Sequence, residues 1–203
     1  MNIFFDLDGT LIDSKPRLYY LFQHLIPESR LSYNEYWELK SRKQNHWDIL
    51  SKYFKFSKLQ YDEFERKWMK EIEKEEWLKF DKPLKGITDY LFSISANKKL
   101  NLFVVTSRQH KIGVVDQLSN LNLRQYFKDV LVTEQVLSKY DLISQKIKTS
   151  SEDWIVGDTG LDIITGKQLG IHTAAVLSGF LNKESLEAYN ADIVVDSVLN
   201  LNF

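Results

Sequence analysis

No glycine lies between residues 10 and 85, although eight occur in the 203-residue chain. A glycine-free span of that length, rich in Glu, Lys, Leu and Trp, favours helix. It also holds four of the five tryptophans: Trp37, Trp47, Trp68 and Trp77. Leu18, Leu21, Phe22 and Leu25 fall at i, i+3, i+4 and i+7, one face of a helix. Asp13 or Ser14 can cap it, and Pro16 suits its first turn. Tyr61, Phe64, Trp68 and Ile72 mark a second stripe, which puts Glu71, Glu73, Glu75 and Glu76 mostly on a solvated face. The four tryptophans are expected in the helical core, and His46 and His110 at the surface. The segment Lys40–His46 reads as a solvated turn rather than a loop that reaches a substrate.

Outside that span the pattern changes. Short runs rich in Val, Ile and Phe occur at Asn2–Phe5, Leu102–Val105, Val130–Val132, Trp154–Val156, Thr173–Leu177 and Ile193–Val195. Helical patterns lie between them, near 86–97, 110–122, 140–148, 160–169 and 183–190. Strands alternating with helices predict an α/β fold, a doubly wound parallel sheet covered on both faces. The expected organisation is an α/β core of residues 1–14 and 82–203, interrupted by an all-helical insert of residues 15–81. Short hinges are expected near Ile12–Lys15 and Phe80–Leu84.

Composition narrows the function. Apolar residues are 43% and charged residues 27%, which excludes a disordered chain or a fibre. Apolar runs stop at four or five residues, too short to span a bilayer. The N-terminus lacks a basic start and a signal-length apolar stretch, so a cytoplasmic location is expected. With no cysteine, disulfides, zinc–thiolate sites and thiol catalysis are excluded. A net charge of -1 gives no support for nucleic-acid binding. Residues 15–83 carry a net +3 and the remainder -4. That split suits an anionic substrate held above a metal-binding cluster, although ordinary solvated helix faces would give the same count.

Ligands of parallel α/β sheets bind at the carboxyl ends of strands. There the first strand ends in Asp6-Leu7-Asp8-Gly9-Thr10, the second in Thr106-Ser107-Arg108, and the fourth in Gly157-Asp158-Thr159-Gly160-Leu161-Asp162. Lys139 precedes a helix between them. Asp6, Asp8 and Asp158 would form a cluster of anions that repel unless a cation binds, and all-oxygen ligation suits Mg²⁺. An Asp carboxylate can attack phosphorus, and a second can move protons. A hydroxyl, backbone N–H groups and a lysine can hold the transferring phosphoryl oxygens. Arg108 can bind substrate or form a local salt bridge, and the structural role is favoured.

This ordered set resembles the haloacid dehalogenase-like hydrolase superfamily over nearly the whole chain. The family's Asp-x-Asp-x-Thr matches Asp6 to Thr10. Its strand-ending Thr/Ser matches Thr106, its lysine Lys139, and its Gly-Asp-x-x-x-Asp matches Gly157 to Asp162. The helical insert is similar to the family's α-helical cap, and Asp8 to Pro16 is similar to the phosphoglycolate phosphatase branch. One departure is Ser138-Lys139-Tyr140-Asp141, where that branch often has prolines after the lysine.

The resemblance implies Asp6 as nucleophile and Mg²⁺ ligand, and Asp8 as general acid/base that lends its backbone carbonyl to the metal. It implies Asp158 as a further metal ligand, Asp162 as a support of the site, and Thr106, Ser107 and Lys139 as phosphate contacts. The expected activity is Mg²⁺-dependent hydrolysis of a small phosphorylated metabolite through an aspartyl-phosphate. Two alternatives stay open: a mutase similar to β-phosphoglucomutase, and a non-catalytic phosphate-binding or signalling protein.

Overall fold

The fold grows from β1 (Asn2–Phe5), whose Ile3, Phe4 and Phe5 are all fully buried. Alternation sends Phe4 to one face of a sheet and Ile3 and Phe5 to the other, and two separate apolar layers result. Each buried Phe contributes about 1.5–3 kcal/mol of apolar transfer. The computed structural model describes residues Met1–Phe203. No helix is long and apolar enough to cross a membrane.

After β1 the chain makes a two-residue strand, β2 (Ile12–Asp13), and enters five helices. These are α1 (Lys15–Leu25), α2 (Tyr33–Ser41), α3 (His46–Phe54), α4 (Lys58–Glu71) and α5 (Glu75–Leu78). It returns through β3 (Lys82–Pro83), which pairs antiparallel with β2, Ile12 opposite Pro83 and Asp13 opposite Lys82. The rest alternates: α6 (Ile87–Ser95), β4 (Asn101–Thr106), α7 (Lys111–Asn120), β5 (Asp129–Val132), α8 (Lys139–Lys146), β6 (Trp154–Gly157), α9 (Gly160–Leu169), β7 (His172–Val176), α10 (Lys183–Glu187) and β8 (Ile193–Val195).

Six strands form one parallel sheet in the order β5-β4-β1-β6-β7-β8. The chain winds one way from β1 to β4 and β5, then the other way through β6 to β8. The order therefore reverses beside β1, and the carboxyl ends of β4, β1 and β6 open there into a crevice.

The helical insert has its own core, built on Leu21, Phe22, Tyr36, Ile49, Leu50, Phe64 and Trp68. Capping boxes start three of its helices: Ser32 with Glu35, Asn45 with Asp48, and Ser57 with Gln60. At α1 Ser14 is the N-cap residue, but its side chain makes no capping bond; the Asp13 carboxylate accepts from the Lys15 N–H instead.

Several insert residues differ from expectation. His46 is not a surface residue: its ring packs against Phe22, Phe64 and Trp68, and its Nε2 hydrogen-bonds the Tyr36 hydroxyl at 2.9 Å. It opens α3 on the apolar side of the helix, so the insert core claims it. Trp37 and Trp68 are buried as expected, whereas Trp47 and Trp77 are half-buried. Glu73 leaves the solvated face because the chain turns out of helical geometry after Glu71. Its carboxylate accepts the Gln109 N–H of the α/β core at 2.6 Å.

Candidate active site

β1 delivers Asp6 to the crevice, its N–H still bound to the Val156 carbonyl of β6 at 2.8 Å. The next turn folds tightly, with the Gly9 N–H on Ile12 O and the Leu11 N–H on Leu7 O. Gly9 adopts φ +80°, and a Cβ there would lie 2.5 Å from an Asp158 carboxylate oxygen. Only glycine serves both demands.

Lys139 enters from the first turn of α8. Its Nζ donates to Asp6 Oδ1 at 2.7 Å and to Asp162 Oδ1 at 2.6 Å. Asp162 is fixed in turn by its second oxygen, which accepts from the Thr159 N–H and hydroxyl as the capping box of α9. Asp162 thus aims the lysine. Carboxylate oxygens of Asp6, Asp158 and Asp162 lie within 4.8 Å of one another, all buried.

Three carboxylates against one ammonium leave excess negative charge in a buried place. Burial, opposed by Lys139 and reinforced by Asp162, pushes the Asp6 carboxyl up to about 6. Burial and the neighbouring Asp6 and Asp162 push Asp158 well above the usual carboxylate range. Lys139 goes upward despite its burial, because Asp162 and Asp6 favour the ammonium form. Asp158 Oδ2 accepts the Phe180 N–H at 2.7 Å, but its Oδ1 is buried without any partner. An orphaned carboxylate oxygen beside two more carboxylates fits a hard divalent cation with all-oxygen ligands.

Asp8 belongs to a second cluster. Arg108, two residues beyond the end of β4, grips it with Nε on Oδ2 at 2.6 Å and Nη2 on Oδ1 at 2.7 Å. Arg17, from α1 of the insert, also donates to Asp8 Oδ1. Both arginines continue to Asp81, just before β3: Arg17 Nε at 3.0 Å and Arg108 Nη2 at 3.2 Å. Gln117 of α7 adds a bond to Asp81 at 2.8 Å, and the Arg17 Nη1 reaches Ile72 O at 2.9 Å. Burial pushes the Asp8 carboxyl up, but Arg108 and Arg17 together outweigh it and hold the group far below the usual range. Arg108 therefore makes the local salt bridge that the sequence favoured, and a buried one.

Thr106 ends β4, one residue past the register position opposite Asp6, and is 2% exposed. Ser107 is exposed, and its carbonyl accepts from the Gln135 side chain. The structure thus gathers Asp6, Asp158, Asp162 and Lys139 directly, with Thr106 and Ser107 on the adjacent strand end. Asp8 is held by its arginine pair and makes no bond to Lys139.

The sequence reading missed Arg17, Asp81, Gln117, Gly179 and Phe180. One signal existed: Arg17 lies four residues before Leu21 on the buried side of α1, a poor place for an unpaired charge. Nothing local marked Asp81 or Phe180. The loop after β7 proves central. Its Ser178 hydroxyl donates to Gly9 O at 2.8 Å, and Phe180 stacks on Trp37 of the insert with ring centroids 5.3 Å apart. Farther along, the Asn182 N–H and Ser185 hydroxyl both reach Ser41 O, at 3.1 and 2.9 Å. The turn after α2 therefore docks on the core.

Comparison with known proteins agrees with this architecture. The haloacid dehalogenase-like hydrolase profile matches residues 3–176. The chain is 22% identical to the pyrophosphatase PpaX of Oceanobacillus iheyensis, over 98% of this chain and 94% of that one. Among solved structures, the haloacid dehalogenase-like family protein SP0104 from Streptococcus pneumoniae superposes with a TM-score of 0.78 at 23% identity, covering 98% of this chain and 94% of that one. A predicted phosphoglycolate phosphatase from Haemophilus somnus gives 0.71 at 19% identity, covering 98% and 94%. Those likenesses give the fold, and the profile gives the family: the chain belongs to the haloacid dehalogenase-like hydrolases.

Proposed function

We propose that this protein is a Mg²⁺-dependent phosphatase that hydrolyses a small phosphomonoester through an aspartyl-phosphate on Asp6. The observation that carries this reading is the Asp6–Lys139–Asp162 chain beside the orphaned Asp158 oxygen, at the strand-order reversal.

Asp6, Asp158 and the Asp8 backbone carbonyl are the groups that would hold Mg²⁺. When bound, the ion neutralises the carboxylates and the charge on the transferring phosphoryl group. Asp6 attacks phosphorus, and the bond from phosphorus to the leaving oxygen breaks. Lys139 orients Asp6 and, with the Thr106 and Ser107 groups, offers donors to the phosphoryl oxygens. Water then attacks the phosphorus of the aspartyl-phosphate, the bond from phosphorus to the Asp6 oxygen breaks to free phosphate and the carboxylate, and Asp8 accepts the proton of the water. The ionised state that the two arginines impose suits this base step. In the first step the leaving oxygen takes a proton from Asp8, and the proton taken from water in the second step restores it. We read residues 15–81 as a cap hinged at the β2–β3 ribbon, which closes to exclude water.

The test is phosphate release from a panel of small phosphomonoesters, with and without Mg²⁺, using Asp6→Asn as control. Mg²⁺-dependent release that disappears in Asp6→Asn is expected. Isomerised sugar phosphate without release would make the protein a mutase instead. No turnover of either kind by a folded, Mg²⁺-binding protein would overturn the catalytic reading.

A further inference from the structure

Between core and insert lies a cavity of about 160 Å³, with Asp8 in its wall. A leaving group would sit there if Asp8 serves it, so the identity of that group rests on the phosphatase reading. The cavity's size admits a compact substituent. Its apolar wall is Leu18, Trp68, Met69, Ile72 and Phe180.

The charge of the polar wall is the informative part. Arg17 and Arg108 are its only cationic side chains. Both are already committed to Asp8 and to Asp81, two guanidiniums against two carboxylates. Asp81 has no exposed side-chain surface, so pulling an arginine from it would strand a buried charge. Glu73 adds a second carboxylate to the wall beside Asp8, and with the buried Asp81 behind them the local set is three carboxylates against two guanidiniums. One of its oxygens takes the Gln109 N–H, no ion pair compensates it, and its negative field reaches Arg108. The Lys139 ammonium is taken by Asp6 and Asp162, and Lys15 lines a separate space with Trp37 and Phe180.

The neutral groups point the same way. The Gln109 amide donates its NH₂ to Met69 O at 2.8 Å, and the Gln135 amide donates its NH₂ to Ser107 O. Their side-chain oxygens and the second Glu73 oxygen remain as acceptors on the wall. Spare acceptors on the wall, backed by three carboxylates against two guanidiniums, favour hydroxyl or amino donors and disfavour an anion.

We propose that the leaving group is a compact, non-anionic alcohol bearing hydroxyl or amino groups, and that Glu73 is the residue that selects it. The carboxylate of a phosphoglycolate and the second phosphate of pyrophosphate are both disfavoured at this wall.

The experiment compares kcat/KM of the full chain with Mg²⁺ for two sets of esters. One set is glycerol 1-phosphate and phosphoethanolamine; the other is 2-phosphoglycolate and pyrophosphate. The uncharged and cationic leaving groups are expected to lead by about tenfold or more. Glu73→Gln keeps the bond to the Gln109 N–H and removes the charge, and should shrink that lead several-fold with the thermal midpoint unchanged. If 2-phosphoglycolate or pyrophosphate is cleaved as well as the others, the selectivity is overturned while the phosphatase stands. An unchanged lead in Glu73→Gln overturns the role of Glu73. No release from any ester, in a panel widened to hexose phosphates and nucleoside monophosphates, overturns both readings together.

Discussion

Arg108 holds Asp8 by two parallel hydrogen bonds of 2.6 and 2.7 Å, although the two residues are 100 positions apart in the chain. Arg17 closes on the same carboxylate from the insert, and Asp81 takes both arginines from behind. Four charges from four segments thus tie the α/β core, the segment before β3 and the helical insert together. Bidentate arginine–carboxylate geometry adds direction to the attraction.

That quartet predicts the effect of Asp81→Asn. The amide keeps the shape but leaves two buried guanidiniums with one carboxylate. Breaking a buried pair from one side costs about 3–5 kcal/mol. Urea unfolding should therefore show a large drop in midpoint with little change in slope. A loss under about 1 kcal/mol, the range of exposed pairs, would mean that the network opens to water in solution.

The quartet also marks the limit of what sequence alone revealed. Asp6 and Asp158 were legible because each sits where a short apolar run meets polar residues, a local pattern, and Lys139 because it stands at the start of the helix before residues 157–162. The six strands were legible for the same reason: Ile3, Phe4 and Phe5 must be buried on both faces. Arg17, Asp81 and Arg108 form a site only once the insert folds back, and their spacing carries no period. Glu73 was misread because helical spacing was extended past the end of α4. His46 was misread because a lone histidine carries no pattern, and only Phe22, Phe64 and Trp68 around it decide its place.

The carboxylate cluster sets a pH dependence of definite sign. Asp6 has an ordinary value of 3.8 and is pushed up to about 6 in the folded chain. Between those values the folded state binds more protons than the unfolded one, so this group costs stability as pH rises from 4 to 6. Above pH 6 the full cost remains until a cation neutralises it. In the absence of Mg²⁺, Asp6→Asn should raise the thermal midpoint at pH 8 and leave it nearly unchanged at pH 4. Mg²⁺ should stabilise the parent chain at pH 8 and lose that effect toward pH 5, as protons compete for the ligands. Equal Mg²⁺ stabilisation at both pH values would sink the assignment of these carboxylates as ligands.

Gly179 supports the cluster from behind. A Cβ at Gly179 would lie 2.0 Å from Asp158 Oδ2, a distance no packed side chain tolerates. Gly179→Ala must displace the Asp158 carboxylate or the loop carrying Phe180. Weakening of Mg²⁺ dependence by about tenfold or more is expected, as for other residues that orient metal ligands. Overpacking adds a stability loss of about 1–3 kcal/mol. A Mg²⁺ titration of activity checks the first effect, and normal Mg²⁺ affinity in the variant would show that Asp158 does not bind the ion.

Phe180 joins the carboxylate cluster to the insert through two different groups, its backbone N–H and its ring. Its N–H holds Asp158 Oδ2, and its ring stacks on Trp37 at an interplanar angle of 19°. Phe180→Leu removes the ring and keeps the backbone bond. Insert and core each have their own apolar cluster, so folding stability should barely change. What changes is the balance between docked and undocked insert. Loss of an aromatic pair is worth about 0.5–1.5 kcal/mol, which corresponds to a fall of about two- to tenfold in kcat/KM if docking precedes chemistry. Trp37 would report the same shift as altered tryptophan fluorescence in the native protein. Asp158 keeps its hydrogen bond, so Mg²⁺ affinity should hold. A variant that lost Mg²⁺ affinity in step with kcat/KM would show that the ring positions Asp158 rather than the insert.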